Sequence, residues 1–193
     1  MLKPAVFLDR DGVLNVEAGY IYHVDDLVLL PCAAQAVKKL NDRGVWCCLV
    51  SNQSGAARGY YSLDHIESLH QSLAFLLQQE AGAILNHIYY CPSLSPPEGG
   101  VNPNLTYYST WRKPNTGMLV AAAWEHDIDL TRSVVVGDKA TDIDMAKNAG
   151  CRSVLVTTGY GKAVLAGEYQ HPVTPDYVAS DLLDAVDWIL SNL

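Results

Sequence analysis

Two aspartates one residue apart, Asp9 and Asp11, directly follow the apolar run Ala5-Val6-Phe7-Leu8, and Gly12 comes next. Carboxylates this close repel each other unless they share a cation, and a hard ion with oxygen ligands, such as magnesium, suits them. A buried strand that delivers Asp9 into a site makes it a candidate nucleophile toward phosphorus. Asp11 would then protonate the leaving oxygen and later activate water. Gly12 permits a sharp turn that brings backbone amides near a phosphate.

Three later segments offer matching chemistry. Val50-Ser51-Asn52-Gln53-Ser54-Gly55 closes a second apolar run. There the Ser51 hydroxyl can donate to a phosphoryl oxygen, and the amides that follow can form an anion-binding nest. Arg112-Lys113-Pro114 brings a cation that neutralises charge on a transferring phosphoryl group, and Pro114 sets up the next helix. Val134-Val135-Val136-Gly137-Asp138-Lys139 ends a third apolar run at an acid placed to complete a metal's oxygen shell, with Asp142 one helical turn further on to support it. Taken singly, each segment also reads as an ordinary turn, cap or solvated charge. Their joint order along the chain is the specific signal.

The elements that must position these residues alternate in kind. Strand-like runs occur at Ala5–Leu8, Val45–Val50, Ile88–Cys91, Ser133–Val136, Ser153–Val156 and Tyr177–Ala179. Helical spacing appears from Ala33 to Arg43, after Ser62 as a cap, from Thr116 to His126, from Ala140 to Ala149 and from Asp181 to Leu190. The stretch after Val156 reads as a loop. Such alternation predicts an α/β three-layer sandwich with a central, mostly parallel sheet, whose ligands bind beyond the carboxyl ends of the strands. One domain over residues 1–193 is expected. Pro92 to Thr110, with four prolines and two glycines, breaks the rhythm and is long for a connection, which marks it as functional or mobile.

The series D-x-D-G, S-N-Q, Lys and G-D-x-x-x-D resembles the haloacid dehalogenase superfamily of phosphohydrolases. The resemblance implies a Rossmann-like fold with Asp9 as nucleophile, Asp11 as general acid/base, and Ser51 and Lys113 as the phosphoryl-stabilising pair. It further implies magnesium held by the Asp9 side chain, the Asp11 carbonyl and Asp138, with Asp142 behind them. FLDRDGVLN, Glu17-Ala18-Gly19-Tyr20, SNQSGAARGYY, IYYCP, RKPNTGM and VVGDKATD are together similar to the heptose bisphosphate and histidinol phosphatase subgroup. That likeness implies no large cap domain and a small phosphorylated sugar as substrate, with histidinol phosphate or another small metabolite as the alternative. It places Gly12, Gly19, Tyr20, Asn52, Gln53, Ser54, Arg112 and Lys139 at substrate-contacting positions. The chain departs from the subgroup in two places. Alanine stands at position 18 where the subgroup carries histidine. The subgroup's zinc loop keeps only Cys91, its other ligand positions reading Ser93, Ser109 and Trp111. One ligand cannot make a tetrahedral zinc site, so no structural zinc is expected, and packing by Tyr107, Tyr108 and Trp111 is expected to hold the loop.

Composition restricts the alternatives. A net charge of -8 gives no basic footprint for nucleic acid. No run reaches the roughly 20 apolar residues of a membrane span, and charges near the N-terminus precede any signal-like core. The five cysteines follow neither disulfide nor zinc spacing, so reduced, mostly buried thiols in a cytoplasmic monomer are expected. The six histidines show no metal-ligand spacing. His65 and His70 are expected at or near the surface of one helix, and His126 near a helix end. A signalling receiver domain also pairs an aspartate with magnesium and lysine, but its acidic pair lies on a different strand from the phospho-acceptor and its lysine follows the last strand. A phosphate-binding protein without catalysis is the remaining class.

Overall fold

Strand runs whose side chains are apolar on both sides can only sit between two layers, and that requirement organises the computed structural model, which describes residues 2–193. Strands β1 (Ala5–Leu8), β2 (Trp46–Asn52), β3 (His87–Cys91), β4 (Val134–Gly137), β5 (Arg152–Val156) and β6 (Tyr177–Ala179) form one sheet in the order β3-β2-β1-β4-β5-β6. Every neighbouring pair is parallel. Helices α1 (Ala33–Asp42), α2 (Leu63–Ala81), α3 (Gly117–His126), α4 (Ala140–Ala149), α5 (Gly161–Leu165) and α6 (Leu182–Asn192) connect and cover the strands.

Side chains alternate along a strand, so each strand feeds two cores. Val6, Leu8, Cys47, Leu49, Val134, Val136, Val154 and Val156 face α1, α2 and α6. Ala5, Phe7, Cys48, Val50 and Val135 face α3 and α4, while Leu155 packs with Ile143 of α4 and Val164 of α5. This alternation explains the adjacent Cys47 and Cys48: both are buried, on opposite faces. All five cysteines are free, and only Cys32 among them is exposed. Among the described residues no helix is long and apolar enough to cross a membrane.

The Ser62 cap falls where the sequence puts it, and Asp181, read as the first residue of the last helix, is its cap. Ser62 Oγ accepts the His65 amide at 3.2 Å to start α2, and Asp181 Oδ1 accepts that of Asp184 at 2.9 Å to start α6. Three expectations need correction. The region after Val156 holds α5, whose five residues are too few to show a helical period. The loop between Pro92 and Thr110 is not held by Tyr107 and Tyr108, which are exposed. Instead the buried Leu94 donates its amide to Leu105 O, and the Val101 and Asn102 amides both bond Ala57 O. Trp111 does pack edge-on against Tyr89, and Cys91 Sγ lies 3.1 Å from Ser93 Oγ.

The third correction concerns His70, which is not near the surface but only 2% exposed within α2, packed edge-on against Tyr90. Among the described residues neither ring nitrogen has a hydrogen-bond partner. Burial, with the Arg10 guanidinium adding to it against Asp11, pushes its pKa down to about 3. The unfolded chain takes up a proton there near pH 6.5, so between about 6.5 and 3 the unfolded state binds more protons. Stability from this site is therefore complete above about pH 6.5 and declines by up to about 1.4 kcal/mol per pH unit as acid is added. Replacing His70 with Leu should remove that slope, read as urea midpoints at pH 7.5 and 5.5. Equal acid sensitivity in both proteins would contradict it.

Candidate active site

The carboxyl ends of the parallel strands bring the acidic motifs together. Asp9 follows β1 with its amide bonded to Val136 O, and Asp138 follows β4. Asp142 rises from the first turn of α4, where its Oδ2 accepts the Lys139 amide at 3.1 Å. One oxygen from each of Asp9, Asp138 and Asp142 lies within 4.8 Å of the others, and all three residues are buried.

Lys113 sits in the middle of this charge. Its Nζ donates to Asp142 Oδ1 at 2.6 Å and to Val50 O at 3.1 Å, and lies 2.8 Å from Asp9 Oδ1. Those contacts use all three of its N–H donors, so Lys113 holds the carboxylates in place as well as facing the site. Its backbone is clamped by Asn52, which accepts the Lys113 amide at 3.0 Å and donates to its carbonyl at 3.2 Å. Burial works against ionising Asp9, but Lys113 and Lys139 outweigh it and hold its carboxyl below the usual range. Burial likewise opposes the charge on Lys113, yet Asp142 and Asp9 keep it firmly protonated. Asp142 is shifted upward by its burial.

Asp138 has the chemistry best suited to a cation. Its Oδ2 accepts the Tyr160 amide at 2.9 Å, but among the described residues Oδ1 is buried without a hydrogen bond, with Lys139 Nζ 3.4 Å away. Burial raises its pKa to about 7, with Lys139 opposing and Asp9 adding to the rise. An orphaned buried carboxylate oxygen beside Asp9 fits a hard divalent cation. Two glycines leave it room. A Cβ on Gly12 (φ +81°) would fall 2.3 Å from Asp138 Oδ2, and one on Gly159 would fall 2.1 Å from it. Gly12 is thus needed for Asp138 rather than for amides offered to a ligand, since its own amide bonds Asn15 O at 2.8 Å. Gly12→Ala should cost roughly 1–2 kcal/mol from the left-handed backbone alone. By displacing Asp138 it should also weaken magnesium binding about tenfold or more by titration calorimetry. Unchanged affinity would contradict this reading.

Asp11 is buried too. Its carboxylate accepts from Arg10 Nε and Nη2, from Asn15 Nδ2 at 2.9 Å and from Gln53 Nε2 at 3.1 Å. Gln53 also donates to Ser51 Oγ at 2.9 Å, which links the first and second motifs. The amide nest expected after Ser51 is not formed by Gln53, whose N–H bonds Cys91 O as β2 runs on through Asn52 beside β3. Ser51 is itself buried.

Above this floor opens a cleft of about 600 Å³. Of the substrate-contacting positions, Gly19, Tyr20, Asn52, Gln53, Ser54, Arg112 and Lys139 line it, as do Asp9, Asp11 and Lys113. Gly12, Ser51, Asp138 and Asp142 lie beneath the lining. Sequence reasoning quoted Glu17 and Arg58 within motifs without giving them a role and missed Glu98, Tyr160 and Tyr169; all five line the cleft. Glu17 Oε2 pairs with Lys139 Nζ at 2.6 Å and its Oε1 accepts the Gly19 amide, which shapes the turn before Tyr20. Glu98 pairs with Arg112 at 2.8 Å. Tyr160 and Tyr169 stack with centroids 4.2 Å apart. Their signal was positional: the segment after β5 leaves the sheet at the same end as the aspartates, where ligands gather.

With this geometry in view, comparison with known proteins gives one consistent result. A HAD-hydrolase-like family model matches residues 110–185. The chain is 63% identical over 193 residues to D-glycero-D-manno-heptose-1,7-bisphosphate 7-phosphatase of Thermosynechococcus vestitus, covering 100% of this chain and 98% of that one. It is 39% identical to D-glycero-beta-D-manno-heptose-1,7-bisphosphate 7-phosphatase of Haemophilus ducreyi, covering 98% and 100% of the two chains. Among solved structures, D,D-heptose 1,7-bisphosphate phosphatase from B. bronchiseptica, complexed with magnesium and phosphate, superposes with a TM-score of 0.84 at 31% identity, covering 98% of this chain and 99% of that one. By fold, by motif and by identity across its whole length, the chain belongs to the haloacid dehalogenase-like hydrolases, in the branch of the heptose bisphosphate phosphatases.

Proposed function

We propose that the chain is a magnesium-dependent phosphatase that removes the 7-phosphate of D-glycero-D-manno-heptose 1,7-bisphosphate through a phosphoryl group carried on Asp9. The observation that carries the reading is the Lys113-braced Asp9, ionised and buried at the floor of a cleft large enough for a sugar phosphate. The full-length identity to a heptose bisphosphate phosphatase supports the choice of sugar. We take residues 1–193 as one catalytic domain, working as a cytoplasmic monomer.

Asp9 and Asp138 side chains with the Asp11 carbonyl are the groups that would hold magnesium. When bound, the ion supplies positive charge against the phosphoryl oxygens. Asp9 attacks phosphorus in line with the leaving sugar oxygen. Lys113 counters charge on the Asp9 side, and Ser51 Oγ, oriented by Gln53, offers its proton to a phosphoryl oxygen. Asp11 turns from Arg10, takes up a proton from solvent and gives it to the leaving oxygen, then regains one from the water that cleaves the aspartyl phosphate. Asp142 keeps Lys113 and the α4 N-terminus in register beneath the site.

At the mouth of the cleft Arg112 takes the sugar's second phosphate, with Glu98 holding it until the phosphate arrives, while Lys139, paired with Glu17 and 3.4 Å from Asp138 Oδ1, adds positive charge beside the reacting group. Arg112→Ala should raise KM for the bisphosphate roughly tenfold to hundredfold, as loss of a charged hydrogen bond does, with kcat on a small aryl phosphate unchanged. An equal fall in kcat on both compounds would contradict a role in binding alone.

The test of function is phosphate release from both anomers of the heptose bisphosphate, histidinol phosphate and other phosphorylated metabolites, with and without magnesium. Magnesium-dependent turnover selective for one heptose anomer is expected. Selective turnover of histidinol phosphate would replace the substrate and keep the chemistry, and release from no compound would favour a binding protein.

A further inference from the structure

Three residues at the far end of the sheet, unused by the chemistry above, come together from distant parts of the sequence. His87 opens β3, and Glu125 and His126 close α3. The strands are parallel and Asp9 follows the end of β1, so the start of β3 lies at the end of the sheet opposite the catalytic aspartates. One donor atom from each of His87, Glu125 and His126 lies within 4.8 Å of the others. His126 Nε2 is buried without a hydrogen-bond partner among the described residues and lies 4.0 Å from Glu125 Oε2.

From this constellation we propose a second metal site, for a borderline divalent ion such as zinc, held by His87, Glu125 and His126. Two imidazoles and a carboxylate form a ligand set that zinc takes with a fourth position left to water, and Glu125 is exposed enough to leave that position open. Magnesium, which favours carboxylate, carbonyl and water oxygens, is a poor match. Zinc ligands with bonds near 2.0–2.1 Å stand roughly 3.3 Å apart, so side-chain rotations of about an ångström would close the shell.

The surroundings orient the ligands. The Tyr89 hydroxyl donates to Glu125 Oε2 at 2.5 Å, and burial together with Glu125 keeps that phenol protonated. Outer groups of this kind fix a ligand's direction and add to affinity. The His126 ring lies 4.8 Å from Trp46, and the His87 ring lies 4.4 Å from Tyr89 and 5.0 Å from His126. Both imidazoles are therefore walled by aromatic rings. A bound ion would tie the C-terminus of α3 to the start of β3, at the opposite end of α3 from Lys113. The separation of thirty-nine positions between His87 and His126 hides the set from any reading of local spacing.

The site stands independently of the phosphatase reading, and the experiment separates them. The full chain in saturating magnesium is titrated with zinc chloride against a chromogenic chelator. One zinc per chain is expected for the wild type and for Asp138→Asn, with binding about tenfold weaker or worse in His87→Gln and in His126→Gln. Magnesium-supported phosphate release should be the same in both histidine variants as in the wild type. X-ray absorption on the zinc-loaded wild type, which depends on no variant's folding, should show two imidazoles among oxygen ligands. Absence of saturable zinc binding, full binding in both histidine variants, loss of binding in Asp138→Asn, or a shell of oxygen alone or with sulfur would overturn the proposal.

Discussion

Asp9→Asn will lower magnesium-dependent phosphate release by roughly 10,000-fold or more, the scale seen when a covalent nucleophile is removed, while the fold and its melting temperature stay close to wild type. The amide keeps the carboxylate's shape and an oxygen to accept the Arg10 amide, a bond of 2.8 Å in the native chain. Lys113 loses its ion pair with Asp9 but retains Asp142 at 2.6 Å and Val50 O at 3.1 Å, so no buried charge is stranded. What disappears is the nucleophile alone. Circular dichroism and thermal melting beside the kinetics separate lost chemistry from lost structure. Turnover within about a hundredfold of wild type in a folded Asp9→Asn protein would exclude Asp9 as the attacking group.

Lys113→Met tests the same centre from the opposite charge, and here activity and stability should fall together. Lys113 is the buried cation between Asp9 and Asp142, and Met fills similar space without charge. Removing one partner of a buried ion pair typically costs about 3–5 kcal/mol, because the other charge is left uncompensated. The carboxylates can escape part of that penalty by taking up protons. The loss should therefore be largest at alkaline pH and shrink as pH falls. Magnesium should restore part of it, since the ion supplies positive charge to the same oxygens. Urea denaturation at two pH values, with and without magnesium, measures all three effects. Wild-type stability in the metal-free variant would show that Lys113 does not balance the aspartates.

Much of this centre was legible before any coordinates. Apolar runs ending at Asp9, Ser51 and Asp138 announce buried strands, and parallel strands must deliver their carboxyl ends to a common edge. Period and capping place α1, α2, α4 and α6 for the same reason: each has enough turns to display an apolar face. The parts that were not legible share a physical cause, which is contact between residues far apart in sequence. No spacing rule reports that a Cβ at position 12 would meet Asp138, that Gln53 ties Asp11 to Ser51, or that Asn52 clamps the Lys113 backbone as well as lining the cleft. The burial of His70 was missed because one polar residue in a helical pattern reads as an outward position, whereas Leu69, His70 and Leu73 all point inward. The loop from Pro92 to Thr110 was misread at Tyr107 and Tyr108 for a related reason. Aromatic residues suggest packing, yet here backbone bonds from Leu94, Val101 and Asn102 hold the turn.

The central claim, a phosphoryl group carried on Asp9, is tested most directly by rapid acid quench of the magnesium enzyme during turnover of the heptose bisphosphate, followed by peptide mass spectrometry. The account predicts a phosphorylated peptide with the modification on Asp9 in the wild type, with both its formation and its breakdown slowed in Asp11→Asn, which lacks the acid of the first step and the base of the second. Substrate consumed with no phosphorylated peptide in either protein, or with the phosphoryl group on another residue, would contradict it.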